Sequence, residues 1–203
     1  FALPDKCDKI VCSWCIGHQL LYDYHNSEWG IPLHDDKRQF EYLTLEVMQC
    51  GLSWLLMLKK RESMRKAFAD FDYRRVAEYT EKDIREALSV PDMIKSDRKI
   101  RAVVNNAKIF MQIQDEFGSF DNWIWSYTNN KTYIYKSHQR ALPASNGLSE
   151  DISGYLRKRG MKYLGPVTVY SHLQAAGIIN DHEESCYMYK YINENFPYRI
   201  LDD

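Results

Sequence analysis

Four side chains able to bind a soft metal stand near the two ends of the chain: Cys12 and His25 close to the start, His182 and Cys186 close to the finish. Two thiolates and two imidazoles suit tetrahedral zinc. A site closed by four protein ligands leaves no position for water, so such a metal would tie the N-terminal segment to the C-terminal one rather than do chemistry. His182 and Cys186 are four residues apart, a spacing that on a helix places both on one face. In Cys12-Ser13-Trp14-Cys15 the second cysteine, or Cys7 before it, could stand in for Cys12. The competing reading is that these Cys and His residues are unrelated parts of core and surface. Five cysteines are an odd number in a 203-residue chain, which is long enough to fold without staples, so a disulfide framework is a poor explanation.

A second group combines aromatics with one acid: Tyr24 and Trp29, then Glu46 and Trp54. Glu46 is flanked by apolar residues on a helical stripe, where an ionised carboxylate is costly unless it meets a donor or a cation. The simpler alternative puts Glu46 at the solvent edge and the rings in the core, and 14% aromatic residues give that alternative weight. A helical hydrolase using His25 or His34 as base lacks an accompanying serine or cysteine nucleophile pattern.

The elements that must position these groups read almost entirely as helices. Asp35 or Asp36 can cap a helix carrying Phe40, Leu43, Val47 and Met48, with Gly51 marking a turn before Trp54. Thr80 and Asp83 resemble a capping box, and a long helix runs from about Asp97 to Gly118. Residues 129–147 look like an extended loop or linker. Ser149 can cap a helix that ends at Gly160, and Gly165-Pro166 opens another that ends at Gly177. Two helices joined by 160–165 make a hairpin whose turn can offer backbone N–H groups to a phosphate, with Lys158, Arg159 and Lys162 supplying charge; an ordinary helical hairpin fits equally well.

Hydrophobic residues at 45% and charged residues at 27% are ordinary for a globular domain. A formal net charge of −1 provides no global cation for nucleic acid, so any such contact must come from the local clusters at 59–61, 98–101 and 157–162, each of which reads by default as a solvated helix end. No apolar run approaches the ~18 residues that span a bilayer, so no membrane partner and an intracellular location are expected.

The motifs Cys12-Ser13-Trp14, Tyr24 through Pro32, Leu45-Glu46 through Trp54, Leu58 through Glu62, Lys158 through Gly165, and Asn180-Asp181-His182 with Cys186 together resemble the DNA-3-methyladenine glycosylases of the constitutive bacterial type. The resemblance implies an all-α fold of the helix-hairpin-helix glycosylase superfamily. It divides the chain into an extension at 1–11, a single glycosylase domain at 12–190 with its hairpin near 149–177, and a tail at 191–203. It also implies one structural zinc on Cys12, His25, His182 and Cys186, favouring Cys12 over Cys7 and Cys15. The implied partner is double-stranded DNA with alkylated bases, met by a monomer at the nucleoid of a bacterial cytoplasm. The implied reaction is hydrolysis of the N-glycosidic bond of 3-methyladenine in base excision repair, without a lyase step. Glu46 then reads the base, Tyr24 and Trp54 stack on it, Trp29 lines the pocket, and Gln49, Gly51 and Leu52 fill the gap in the duplex. Lys158, Arg159, Lys162 and Gly165 fall to the backbone anchor. Val47, Met48 and Cys50 depart from the family pattern, which usually has smaller or more polar residues there. A non-catalytic, zinc-stabilised lesion-binding module on the same scaffold is the alternative.

Elementary chemistry agrees with the implied reaction. Alkylation at N3 makes adenine cationic and a ready leaving group, so the pocket must mainly extract the nucleotide and tell a cation from neutral adenine. Aromatic faces attract a desolvated cation by roughly 0.5 to 2 kcal/mol, and a glutamate adds charge and a hydrogen-bond acceptor.

Overall fold

The computed structural model describes residues 9–202, so Cys7 and most of the N-terminal extension lie outside the described residues. At its centre, α2 (Asp36–Gln49) is buried at every position from Gln39 to Met48, including Glu41, Thr44 and Glu46. Asp35 caps it by accepting from Arg38 N at 2.8 Å. The helix is covered on several sides. α1 (Gln19–Ser27) and α3 (Trp54–Ala67) flank one another, and α3 packs on α2 together with the long α6 (Asp97–Phe117). Short helices α4 (Tyr73–Ala77), α5 (Glu81–Ser89) and α7 (Phe120–Ser126) complete this layer, with the Thr80–Asp83 capping box formed as expected. Phe110 of α6 stacks on Phe120 at 4.2 Å and meets Phe40 of α2 edge to face at 5.4 Å, which ties the three helices into one aromatic core.

α8 (Gly147–Lys158) and α9 (Pro166–Ala175) form the expected hairpin, with α9 against α2. Asn146 rather than Ser149 caps α8; Ser149 is the third helical residue and closes a capping box with Asn146, so the helix starts a turn earlier than expected. Gly165 and Pro166 open α9 as predicted.

The expectation of an all-α chain is corrected by two short strands. Within the stretch read as a linker, β1 (Thr132–Tyr135) pairs in parallel with β2 (Tyr198–Leu201), and a turn of 3-10 helix follows at Lys136–Gln139. Thr-Tyr-Ile-Tyr suits a half-buried strand, but four residues are too few for the alternation to show against helical periodicity. β1 also receives the chain on its other side: Tyr133 N donates to Ile178 O, and Asn180 N to Tyr133 O. This delivers Asp181 and His182 to the site. A second correction follows, because His182 and Cys186 do not lie on a helix. They sit on the turn before α10 (Tyr187–Asn195), closed by Cys186 N donating to Glu183 O at 2.7 Å, and this turn brings the two side chains together as a helical turn would have done.

Two glycines let the N-terminal segment reach that turn. Gly30 (φ +78°) runs so close to His182 that a Cβ would meet its Nε2 at 2.6 Å, and a Cβ on Gly177 (φ +69°) would strike the backbone of Gly30 to Pro32. The segment is secured there by Gly30 N donating to Ala175 O and Leu33 N to Ala176 O.

Candidate active site

Trp14, Tyr24, Trp29, Glu46, Gln49 and Trp54 line one cavity of about 290 Å³ together with Leu142, Ser171, Gln174 and Ala175. Each wall comes from a different element. Tyr24 is on α1, Glu46 and Gln49 end α2, and Trp54 is the first residue of α3, set there by Ser53, whose hydroxyl accepts from Leu56 N. The Tyr24 and Trp54 rings stand 5.4 Å apart, inclined by 48°, and Trp14 meets Trp29 edge to face at 5.1 Å.

Glu46 is buried, 3% exposed, and no described residue donates a hydrogen bond to its carboxylate. Desolvation by burial pushes its carboxyl up to about 8. Trp54 Nε1 is also buried without a partner. The acid therefore carries its proton at neutral pH with no cation among the described residues paired to it, and a cation entering the cavity would favour its ionised form. Val47 and Met48, the departures next to it, turn into the core rather than into the cavity.

Near Tyr24 lies a partly buried ion network. Arg61 of α3 donates to both oxygens of Glu28 (2.7 and 2.8 Å) and to Glu41 at 2.8 Å, while Arg65 adds a bond to Glu41 and the Tyr42 hydroxyl one to Glu28. Although burial alone would raise it, the Glu28 carboxyl is held below its ordinary value by Arg61. The basic run at 59–61 is thus not simply a solvated helix end, since Arg61 clamps α3 to α1 and α2.

Cys12, His25, His182 and Cys186, the set the resemblance implied, converge, all buried, with their ligand atoms within 4.8 Å of one another. His182 Nδ1 is 3.2 Å from His25 Nε2 and 3.4 Å from Cys12 Sγ, and Cys186 Sγ is 3.4 Å from His25 Nε2. The other ring nitrogens are occupied: His25 Nδ1 faces Asn26 Oδ1 at 2.7 Å and His182 Nε2 the Trp29 carbonyl at 3.1 Å. Those oxygens accept N–H donation, which leaves a lone pair on each imidazole aimed at the centre, the arrangement metal-ligating histidines use. The cluster can hold a metal ion. Cys15 is buried but directed to the Cys12 carbonyl, outside the cluster. His34 pairs with Asp121 at 3.1 Å, away from the cavity.

Gly51 (φ +83°) and Leu52 occupy the turn between α2 and α3, and Gln49 Nε2 donates to Leu52 O at 2.6 Å. From α6, Lys99 Nζ donates to the Met48 and Cys50 carbonyls, each at 2.7 Å, satisfying the C-terminal end of α2. In the hairpin turn, Lys158 and Lys162 are exposed, Asn106 bonds both the N–H and the carbonyl of Lys162, and Ser153 bonds Leu164 O. Arg159 is paired with Glu116 and lies over the Tyr155 ring at 4.8 Å. Sequence reasoning missed Trp14, Leu142 and Gln174 as cavity walls, and Lys99 and Arg61 as the fasteners behind them. Trp14 and Arg61 stood inside recognised motifs without a role, whereas Gln174 and Leu142 carried no local signal.

Solved proteins that share this helical scaffold are glycosylases. The sequence profile described as methyladenine glycosylase matches residues 14–189. DNA-3-methyladenine glycosylase 1 of Escherichia coli K12 is 36% identical over 179 residues, 88% of this chain and 96% of that protein. The DNA-3-methyladenine glycosylase of Haemophilus influenzae Rd is 37% identical over 177 residues, covering 86% and 95%. Among solved structures, 3-methyladenine DNA glycosylase I from Staphylococcus aureus, described for its recognition of 3-methyladenine, superposes with a TM-score of 0.82 at 36% identity, covering 87% of this chain and 94% of that one. The chain belongs to the methyladenine glycosylase family.

Proposed function

We propose that this protein excises 3-methyladenine from alkylated double-stranded DNA by hydrolysing the N-glycosidic bond, releasing the free base and leaving an abasic site as the first step of base excision repair. The observation that carries this reading is the shared cavity of Tyr24, Glu46 and Trp54. The flipped base enters between the aromatic walls, where its positive charge meets ring faces and the one buried acid. Charging Glu46 becomes favourable only when that cation is present, so a neutral purine gains less from the same pocket. As the bond breaks, positive charge passes from the base to the sugar. Glu46 acts by holding negative charge close to this change rather than by strong general-base action on water.

Gln49, Gly51 and Leu52 are suited to the space the base vacates, since Lys99 and the Gln49–Leu52 bonds hold their turn in shape. The hairpin is read as a helix-hairpin-helix anchor. Exposed Lys158 and Lys162 and the Gly165 end of α9 are available to phosphates, whereas Arg159 would have to give up its pair with Glu116 to join them. The donor set at Cys12, His25, His182 and Cys186 fits zinc, which when bound supplies a cross-link between chain segments. Cavity and cluster are both complete within one chain, which supports action as a monomer.

Incubation with methylated duplex DNA followed by chromatography of released bases tests the reading: 3-methyladenine is expected in the released fraction. Retention of alkylated duplex without release of any base would instead assign the non-catalytic lesion-binding module.

A further inference from the structure

Gln174, on the α9 side of the cavity, is held from behind by a carboxylate. Its Nε2 donates to Asp181 Oδ2 at 2.9 Å; the same oxygen accepts from the Tyr170 hydroxyl at 2.5 Å, and Oδ1 pairs with His138 Nδ1 at 2.8 Å. The Asp181 side chain is wholly buried, 0% exposed. A carboxylate has only lone pairs to offer, so the amide of Gln174 must turn its nitrogen towards Asp181; the reverse orientation would press oxygen against oxygen. Oε1 is therefore the end left over. It accepts no hydrogen bond from any described residue, and it is not sealed away from the open side of the residue.

We infer that Gln174 is a specificity-determining residue of this site: its Oε1, oriented by Asp181, joins Glu46 in presenting acceptors to the bound base, so that the cavity takes a 6-amino purine and disfavours its 6-oxo counterpart. The inference rests on the reading of this cavity as a base pocket. An amino group at position 6 supplies the hydrogens that two acceptors require, whereas a carbonyl there sets lone pair against lone pair. Stacking on Tyr24 and Trp54 is blind to this difference, because both bases present the same kind of ring face.

The test is binding of free 3-methyladenine and free 3-methylguanine to the full chain, followed by quenching of the tryptophans around the cavity, with the ratio of the two dissociation constants as the readout. The unaltered protein is expected to prefer the amino base. Gln174→Met, which keeps the bulk and removes the acceptor, should narrow that preference about tenfold. Asp181→Asn should narrow it too, because its new amide can donate to Gln174 Oε1 and turn the Gln174 nitrogen towards the cavity; this second variant keeps the test decisive if the first fails to fold. An unchanged ratio in a folded Gln174→Met protein, or equal weakening for both bases, makes Gln174 a mere wall and overturns the inference, as does an unaltered protein that binds both bases equally. Binding of neither base by the unaltered protein is a different result, which removes the base-pocket reading itself and the inference with it.

Discussion

The Trp29 ring meets the His182 imidazole edge to face with 4.6 Å between centroids, and the carbonyl of the same tryptophan accepts from His182 Nε2 at 3.1 Å. One residue thus lines the cavity and braces the cluster of cysteines and histidines. Occupancy of the cluster should be felt in the pocket although no metal touches the base.

Removal of the metal with a strong chelator, or Cys186→Ser, is expected to lower the melting temperature by on the order of 10 °C. Tryptophan emission should shift before global unfolding, since Trp29 loses its brace first. Elemental analysis of the purified chain gives the companion measurement: absence of stoichiometric metal together with indifference to chelator would remove the cross-link from the account.

Glu46 sets a pH dependence with a defined sign. Its folded carboxyl sits at about 8 against an ordinary 4.5, so between these values the folded chain keeps a proton that the unfolded chain has released. Its contribution is therefore most favourable below about pH 4.5, declines as pH rises, and is lost on passing about pH 8, on the order of 5 kcal/mol across the window. Glu46→Gln should lose this slope in urea titrations of the ligand-free protein, and excision should fall by roughly 10- to 100-fold with the loss of a charged contact. Full activity in that variant would remove Glu46 from the mechanism.

Arg61 satisfies two carboxylates at once, the buried Glu41 and the half-buried Glu28. Arg61→Met leaves Glu28 without its principal partner and Glu41 with Arg65 alone, which should cost about 3–5 kcal/mol in urea unfolding. Arg61→Lys should recover only part, because a single ammonium cannot reproduce the Nε, Nη1 and Nη2 bonds to both acids. Near-wild-type stability in the Met variant would show that the network contributes little.

Lys99 and Lys162 should behave differently on DNA although both belong to basic clusters. Lys99 spends its ammonium on two carbonyls at the end of α2, whereas Lys162 is exposed on the hairpin turn. In salt titrations of duplex binding, Lys162→Ala should reduce the log–log slope by about 1, and Lys99→Met should leave it unchanged while slowing excision. A Lys99→Met slope reduced to the same extent would place that side chain on a phosphate.

Helix positions and the hairpin were legible because capping chemistry and helical periodicity are local signals, whereas the convergence of Cys12, His25, His182 and Cys186 was indicated by the family resemblance rather than by their spacing. The cavity was legible in its aromatic and acidic members, Tyr24, Trp29, Glu46 and Trp54, through their motifs. What escaped was set by tertiary pairing. β1 exists because residues 178–180 and β2 arrive on its two sides, and Gln174 matters because Asp181, beyond the helix end, turns its amide. Basic side chains were the hardest to read, since nothing in the sequence separates Arg61, which is committed to buried acids, from Lys162, which faces solvent.

The knot of Cys12 and His25 with His182 and Cys186 closes over more than 150 residues, with Cys12 and His182 separated by 170 positions. A chain leaving the ribosome must therefore wait for the turn before α10 before His182 can brace Trp29, whose other ring contacts, to Trp14 and His25, come from the start of the chain. Translation thus finishes the brace behind Trp29 only after every residue that lines the cavity has already been made.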